Sequence, residues 1–243
     1  MKIRLDRYLS NAGLGSRSQV KKLIKSGFVK VNGRTVRDIS FEIHEVDVVE
    51  CHGEIIEAPK HLYLIMNKPS GYVCDRVQDA TVFDLIDHPR SDQLHVAGRL
   101  DRDVEGLIIL TTDGWFTHML IDPKSLLERE YVIHVQGSLT KEMKRIVESG
   151  LAVGKVQFAP ATIEQIQEGI VRLVLTEGKY HEVKRILRSI GLEYKKITRV
   201  RFANITLGDL TLGEWRALTN DEIHQLLQIA TYNRKLRSRS RGL

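Results

Sequence analysis

The 243-residue chain is short of the residues that would staple or anchor it. It has two cysteines and five prolines, and aromatic residues make up only 6% of it. Cys51 and Cys74 stand far apart and form no zinc-type pair, so neither a disulfide framework nor a structural metal is expected. No apolar run approaches the roughly 20 residues that span a bilayer. Met1 to Arg7 lacks the apolar centre of a signal peptide, so a cytoplasmic setting away from membranes is expected. No glycine-rich loop of the recognised phosphate-binding spacings occurs. His118, His134 and His181 are widely separated and suggest no metal set. The expectation is a protein with no cofactor and no metal.

What is present is a real core and an uneven charge. At 42% hydrophobic residues, the chain can bury one large domain or two unequal ones. The net charge of +6 conceals basic ends. Residues 1–40 carry ten Lys or Arg against two acids, and residues 234–243 carry five cations and no acid, leaving an acidic middle. Local cation clusters of this kind suit a polyanion held through its phosphates.

The amino-terminal pattern reads helix, helix, hairpin. Leu5, Tyr8 and Leu9 share one helical face. Gly13-Leu14-Gly15 breaks that helix, and Ser16 caps a second one from Arg17 to Ser26. Val20, Leu23 and Ile24 form its apolar stripe, with Lys21, Lys22 and Lys25 opposite. Phe28 to Val36 reads as two strands around an Asn32-Gly33 turn. With Arg4-Leu5-Asp6, Ser16-Arg17-Ser18 and Val29-Lys30-Val31-Asn32-Gly33, this arrangement resembles the S-four RNA-binding domain over about residues 1–48. The resemblance implies that Arg17, Lys21, Lys22 and Lys25 meet structured RNA, chiefly through shape and phosphate contacts. Residues 49–60 read as a linker.

The longer body opens with a buried strand, Leu62 to Met66, and the turn Asn67-Lys68-Pro69-Ser70-Gly71. Gly98-Arg99-Leu100-Asp101 reads as a loop before the apolar run Ile108-Ile109-Leu110. Arg129 to Val135 alternates as a half-buried strand, Thr140 to Ser149 is helical, and 161–166 with 170–176 form a hairpin. A helix from Tyr180 to Ile190, strands at 196–201 and 213–218, and a last helix capped by Thr219 and Glu222 follow. Without regular βαβ alternation, the expected class is α+β: a small helix-helix-hairpin domain (1–58, with linker), a larger body with a mixed, mainly antiparallel sheet and flanking helices (59–233), and a free basic tail (234–243).

Gly98-Arg99-Leu100-Asp101, Glu105-Gly106-Leu107 and Thr111-Thr112-Asp113-Gly114 together resemble the signature of the pseudouridine synthases, in particular their small-ribosomal-subunit branch. Asn67-Lys68-Pro69-Ser70-Gly71, Arg129-Glu130-Tyr131 and the segment Glu177 to Arg185 resemble three further family motifs in the family's order. The resemblance implies that Asp101 is the catalytic aspartate and that Arg99 holds the flipped nucleotide. It likewise implies that Tyr131 packs on the base and assists proton removal from carbon five. The resemblance also implies a basic residue on the 180–190 helix that meets the aspartate; Lys184 falls at the matching position, with its neighbour Arg185 an alternative and a further RNA-binding candidate. Leu187 falls where the family resemblance implies an aliphatic residue lining the uracil pocket. Two positions depart from the pattern: Val104 stands where Thr is usual and Glu182 where Gln is usual.

The function so implied is isomerisation of a uridine in 16S ribosomal RNA of the small subunit, by a monomer that meets ribosomal RNA or a pre-ribosomal particle. A 23S large-subunit target is the runner-up. A non-catalytic assembly factor, and a glycosidase pairing Asp101 with Asp103 or Glu105, are rivals of other classes.

Overall fold

The computed structural model describes residues 2–44, 46–57, 60–77 and 80–239, and the chain divides into two compact units, Met1–His61 and Leu62–Leu243.

In the first unit, β1 (Lys2–Arg4) leads into α1 (Leu5–Asn11) and α2 (Arg17–Lys25). Ser16 and Gln19 close a reciprocal capping box at the start of α2. Val20 and Ile24 point into the core, and Arg17, Lys21, Lys22 and Lys25 are all exposed. Next come β2 (Val29–Val31), β3 (Arg34–Thr35), β4 (Glu42–His44), β5 (Val49–Cys51) and β6 (Glu54–Ile55). The β2–β3 turn has positive φ at both Asn32 and Gly33, the backbone that an Asn-Gly hairpin requires. The strands pair in the order β3-β2-β5-β6, with β1 and β4 as a separate pair. Residues 49–57 are therefore not a linker: β5 and β6 complete this unit's sheet, and Val49 and Cys51 join its core.

The second unit is built on one sheet. Its strands are β7 (Tyr63–Lys68), β8 (His95–Ala97), β9 (Glu105–Thr111), β10 (Arg129–Val135), β13 (Thr162–Gln167), β14 (Ile170–Leu175), β15 (Tyr194–Phe202), β16 (Ile205–Thr206) and β17 (Trp215–Ala217), with β11 (Leu151–Val153) and β12 (Val156–Phe158) as a separate hairpin. The order is β13-β14-β10-β15-β9-β7-β17, antiparallel throughout except where β15 runs parallel to β9. This is the α+β, mainly antiparallel architecture expected.

Both faces of β7 and β9 are covered. Leu64, Met66, Ile108 and Leu110 pack into a core with α5 (Glu182–Ser189) and α4 (Lys141–Ser149). Ile65, Leu107 and Ile109 pack into a second core with α3 (Gly114–Ile121) and α6 (Asn220–Arg239). A strand buried on two sides needs apolar residues at every position, which is why 107–110 shows no alternation. Helix α3 has no counterpart in the sequence reading. It is apolar on nearly every side, so it carries no 3.6-residue stripe, and its one local sign is Asp113 accepting the Trp115 N–H at 2.9 Å.

The carboxyl-terminal cations do not begin a free tail at Arg234. They continue α6, which Leu226 and Ala230 anchor in the core. Arg234 pairs with Asp122 at 2.7 Å, and Arg237 donates to the Pro123 carbonyl at 3.1 Å. The last four residues of that basic stretch lie outside the described residues. Among the described residues, no helix is long and apolar enough to cross a membrane.

Along one edge β9 changes partner, from β8 at its carboxyl-terminal half to β15 at Glu105 and Gly106. There the backbones meet closely. A Cβ on Gly106, whose φ is +105°, would lie 2.2 Å from the Arg199 carbonyl oxygen. Gly106→Ala is expected to cost about 3 kcal/mol or more of unfolding free energy. Gly208→Ala is the control: φ is again positive, at +58°, but nothing lies within 4 Å, so only backbone strain of about 1 kcal/mol is expected. Equal losses for the two variants in urea unfolding would contradict this account.

Candidate active site

The loop carrying Asp101 spans residues 98–104, between β8 and β9, and opens into a cleft of about 950 Å³. That is ample for a nucleotide. The loop is held from beneath by two fully buried cations. The Lys68 ammonium donates to the carbonyls of Val104 at 2.7 Å, Pro69 at 3.0 Å and Arg102 at 3.2 Å. The Arg199 guanidinium donates to Leu107 at 2.7 Å and Gly98 at 2.9 Å. A buried cation without partners would be prohibitively costly, so these carbonyls and cations fix one another. Burial pushes the Lys68 ammonium below its ordinary range, and nearby acidic groups, Asp101 among them, oppose that shift.

The turn at 67–71 belongs to the same support. Gly71 and Arg102 exchange two hydrogen bonds, Gly71 N–H to the Arg102 carbonyl at 2.8 Å and Arg102 Nε to the Gly71 carbonyl at 3.0 Å. Val104 needs no hydroxyl to be held: its N–H donates to the Asp101 carbonyl, and its own carbonyl takes the Lys68 ammonium. The Val-for-Thr departure leaves the loop's backbone anchored.

The opposite wall comes from the loop before α5. Arg129, buried in β10, holds that loop through the carbonyls of Glu177 at 3.1 Å and Thr176 at 3.4 Å. Lys184 then reaches across to the aspartate loop. Its Nζ lies 3.0 Å from Asp101 Oδ2 and bonds tightly to Asp103 Oδ1 as well. Burial would lower the Lys184 pKa, but the hydrogen bonds it donates to the Asp103 and Asp101 carboxylates outweigh it and hold the ammonium above its ordinary range. Burial would likewise raise Asp103, but its bond to Lys184 holds it below the usual carboxylate range. His181 completes the group, with Nε2 3.5 Å from Asp101 Oδ1.

The structure thus brings Asp101, Tyr131, Lys184 and Arg99 to one cleft. Asp101 keeps 27% of its side chain accessible and Lys184 15%. Tyr131 is buried in β10 and forms part of the apolar side with Leu100, Val104, Val183 and Ile197. Arg99 is exposed and tethered to Asp75 at 2.8 Å.

Two expected site residues stand elsewhere. Arg185 turns away from the aspartate, donating to the Val153 carbonyl at 2.8 Å with its guanidinium over the Phe158 ring. Leu187 is fully buried in the core and does not line the cleft; Val183, one turn earlier, does. Of the carboxylates in the glycosidase reading, Asp103 is engaged by Lys184, while Glu105 pairs with Lys196 at 2.7 Å and does not line the cleft.

Sequence reasoning missed Lys68, Arg199, Arg129 and His181 as parts of this site. A signal existed for Arg199, since it follows Ile197 by two residues on the buried side of its strand.

Glu182 is buried and accepts the Lys179 N–H at 2.9 Å, shaping the turn into α5. Burial pushes its carboxyl above the usual range, against that hydrogen bond. The folded state therefore holds this proton more tightly than the unfolded chain, and this group's contribution to stability falls as pH climbs above about 4.5. Glu182→Gln keeps the acceptor and removes the charge. The variant is expected to gain stability relative to the parent as pH rises from 4 to 8 in urea unfolding. A gap independent of pH would refute the assignment.

The sequence profile of the RNA pseudouridylate synthases matches residues 62–189, and that of the S4 domain matches residues 3–49. The ribosomal small subunit pseudouridine synthase A of Vibrio parahaemolyticus is 35% identical over 228 residues, covering 91% of this chain and 98% of its own. The ribosomal large subunit pseudouridine synthase B of Bacillus subtilis is 31% identical over 239 residues, covering 95% of this chain and 98% of its own. A crystal structure of a pseudouridylate synthase superposes with a TM-score of 0.67 at 32% identity, covering 92% of this chain and 99% of the other.

Proposed function

The chain belongs to the RNA pseudouridylate synthase family and carries an S4 domain, and from that premise we propose that it isomerises one uridine of small-subunit ribosomal RNA, with Asp101 as nucleophile. The observation that carries the reading is an accessible Asp101 carboxylate, set against the Lys184 ammonium on the wall of a cleft that Tyr131 also lines.

The reaction breaks the N1-glycosidic bond, turns the base, forms a C-glycosidic bond at carbon five and replaces the proton lost from carbon five by one taken up at N1. No electrons are gained or lost, so this chain's side chains suffice. A nucleophilic carboxylate must be within reach of the base, and Asp101 is accessible at the cleft with the Lys184 ammonium 3.0 Å from its Oδ2. Lys68 and Arg199 fix where the carboxylate sits, so little reorganisation is needed when the base arrives.

The target base must leave its stack at a cost of a few kcal/mol. Arg99, 66% exposed at the cleft, is the cation that offsets this cost, and Tyr131 supplies the surface on which the uracil packs. The exposed cations of α2 dock the RNA through its phosphates. On this reading the enzyme works as a monomer in the cytoplasm, on ribosomal RNA or a pre-ribosomal particle. The small-subunit choice draws on the Asn67–Cys74 and Glu177–His181 segments, which resemble that branch.

The test is pseudouridine mapping in both ribosomal RNAs after incubation with purified protein. A single new site in the small-subunit RNA is expected, lost by roughly 10³-fold or more in Asp101→Asn, with RNA affinity kept within a few fold. A site in the large-subunit RNA would move the substrate. No site on free RNA or assembly intermediates would leave only a binding factor. Replacing Lys21, Lys22 and Lys25 with Gln is expected to flatten the dependence of log affinity on log salt by about 2, with turnover at saturating RNA unchanged. An unaltered slope would remove α2 from the interface.

A further inference from the structure

One feature of the cleft is unused by the chemistry above. Tyr180 is 78% exposed, although a large aromatic ring gains most by burial. Its ring stacks on the His181 imidazole, with centroids 3.8 Å apart and planes 18° apart. His181 is itself unusual, a non-glycine residue at φ 51° at the start of α5. A left-handed backbone costs a β-substituted residue energy and tends to persist where a site over-determines it. Here it places Nε2 3.5 Å from Asp101 Oδ1 while the ring carries Tyr180. Both side chains line the cleft that holds Asp101 and Arg99. A flat aromatic surface is thereby set beside the reacting carboxylate and left open to solvent.

We propose that the Tyr180–His181 stack is the platform that receives a nucleobase flanking the target uridine in the flipped complex; this rests on the function proposed above. Flipping one nucleotide unstacks its neighbours, and an aromatic face returns part of that lost stacking to whichever base lies next to the gap. Tyr180 touches the RNA. His181 is a positioning residue that fixes the Tyr180 ring relative to Asp101. The platform accepts any base, because every base has a π-face, and so it adds affinity for the flipped conformation more than sequence selectivity.

The experiment measures pseudouridine formation by the full-length protein on transcripts of small- and large-subunit ribosomal RNA. Tyr180→Ala is expected to lower kcat/KM by about 5- to 150-fold, the range of one base–aromatic stack. Tyr180→Phe, which keeps the ring and loses the hydroxyl, is expected to stay within twofold of the parent, and Tyr180→Leu to resemble Ala. The exposed position predicts unchanged thermal unfolding for all three. With 2-aminopurine placed on either side of the mapped uridine, fluorescence quenching is expected with the parent and Tyr180→Phe and is expected to be lost with Tyr180→Ala. A Tyr180→Ala rate within twofold of the parent, or a Tyr180→Phe variant as slow as Ala, would overturn the platform while leaving the enzyme's function standing. Absence of pseudouridine with the unaltered protein would overturn the function and the platform together.

Discussion

The site depends on two cations buried where water cannot reach them. Lys68 and Arg199 each give up hydration and recover it from backbone carbonyls, Lys68 from Pro69, Arg102 and Val104 and Arg199 from Gly98 and Leu107. The compensation is geometric: moving the loop by an ångström would strand a buried charge. Charge-assisted bonds of this kind are stronger than neutral ones. They make the loop's position a property of the core rather than of the surface. Gly106 belongs to the same constraint, since only a residue without Cβ lets β9 approach Arg199 closely enough.

Around that fixed loop, charge is divided between structure and chemistry. Lys68, Arg199 and Arg129 are buried and spend their hydrogen bonds on backbone. Lys184 instead meets two side-chain carboxylates in the cleft, Asp101 and Asp103. The cations proposed to face RNA, Arg99 and those of α2, are exposed. The basic ends of the chain and its acidic middle thus belong to different tasks. Part of the terminal basic stretch is also structural, because Arg234 and Arg237 fasten α6 to residues 122 and 123.

Legibility in the sequence followed the range of the interaction. The Asn32-Gly33 hairpin, the Ser16 cap, the alternation of β10 and the Thr219–Glu222 box each rest on residues within a few positions of one another, and each formed as read. Helix α3 was missed because apolar residues on its exposed side, Trp115 and Ile121, blur the stripe that Phe116, Met119 and Leu120 bury. The 49–57 segment was misread because its partner β2 lies some twenty residues earlier and only pairing shows it to be sheet.

The sequence by itself determined the α+β class and the S4 domain at the amino terminus, because strong local patterns encode these, and its resemblance to ordered family motifs pointed to Asp101 and Tyr131 and to a basic residue of α5. Tertiary structure alone decided which side chain of α5 meets the aspartate. Lys184 and Arg185 are neighbours, but successive helical residues point about 100° apart. The docking of α5 against Val153 and Phe158 turns Arg185 outward from the cleft and Lys184 into it. The same rotation buries Leu187 and brings Val183 to the cleft. Tertiary structure also decided that Lys68 and Arg199, some 130 residues apart, hold one loop between them. No local pattern can encode that contact, because it exists only when β7, β9 and β15 lie side by side.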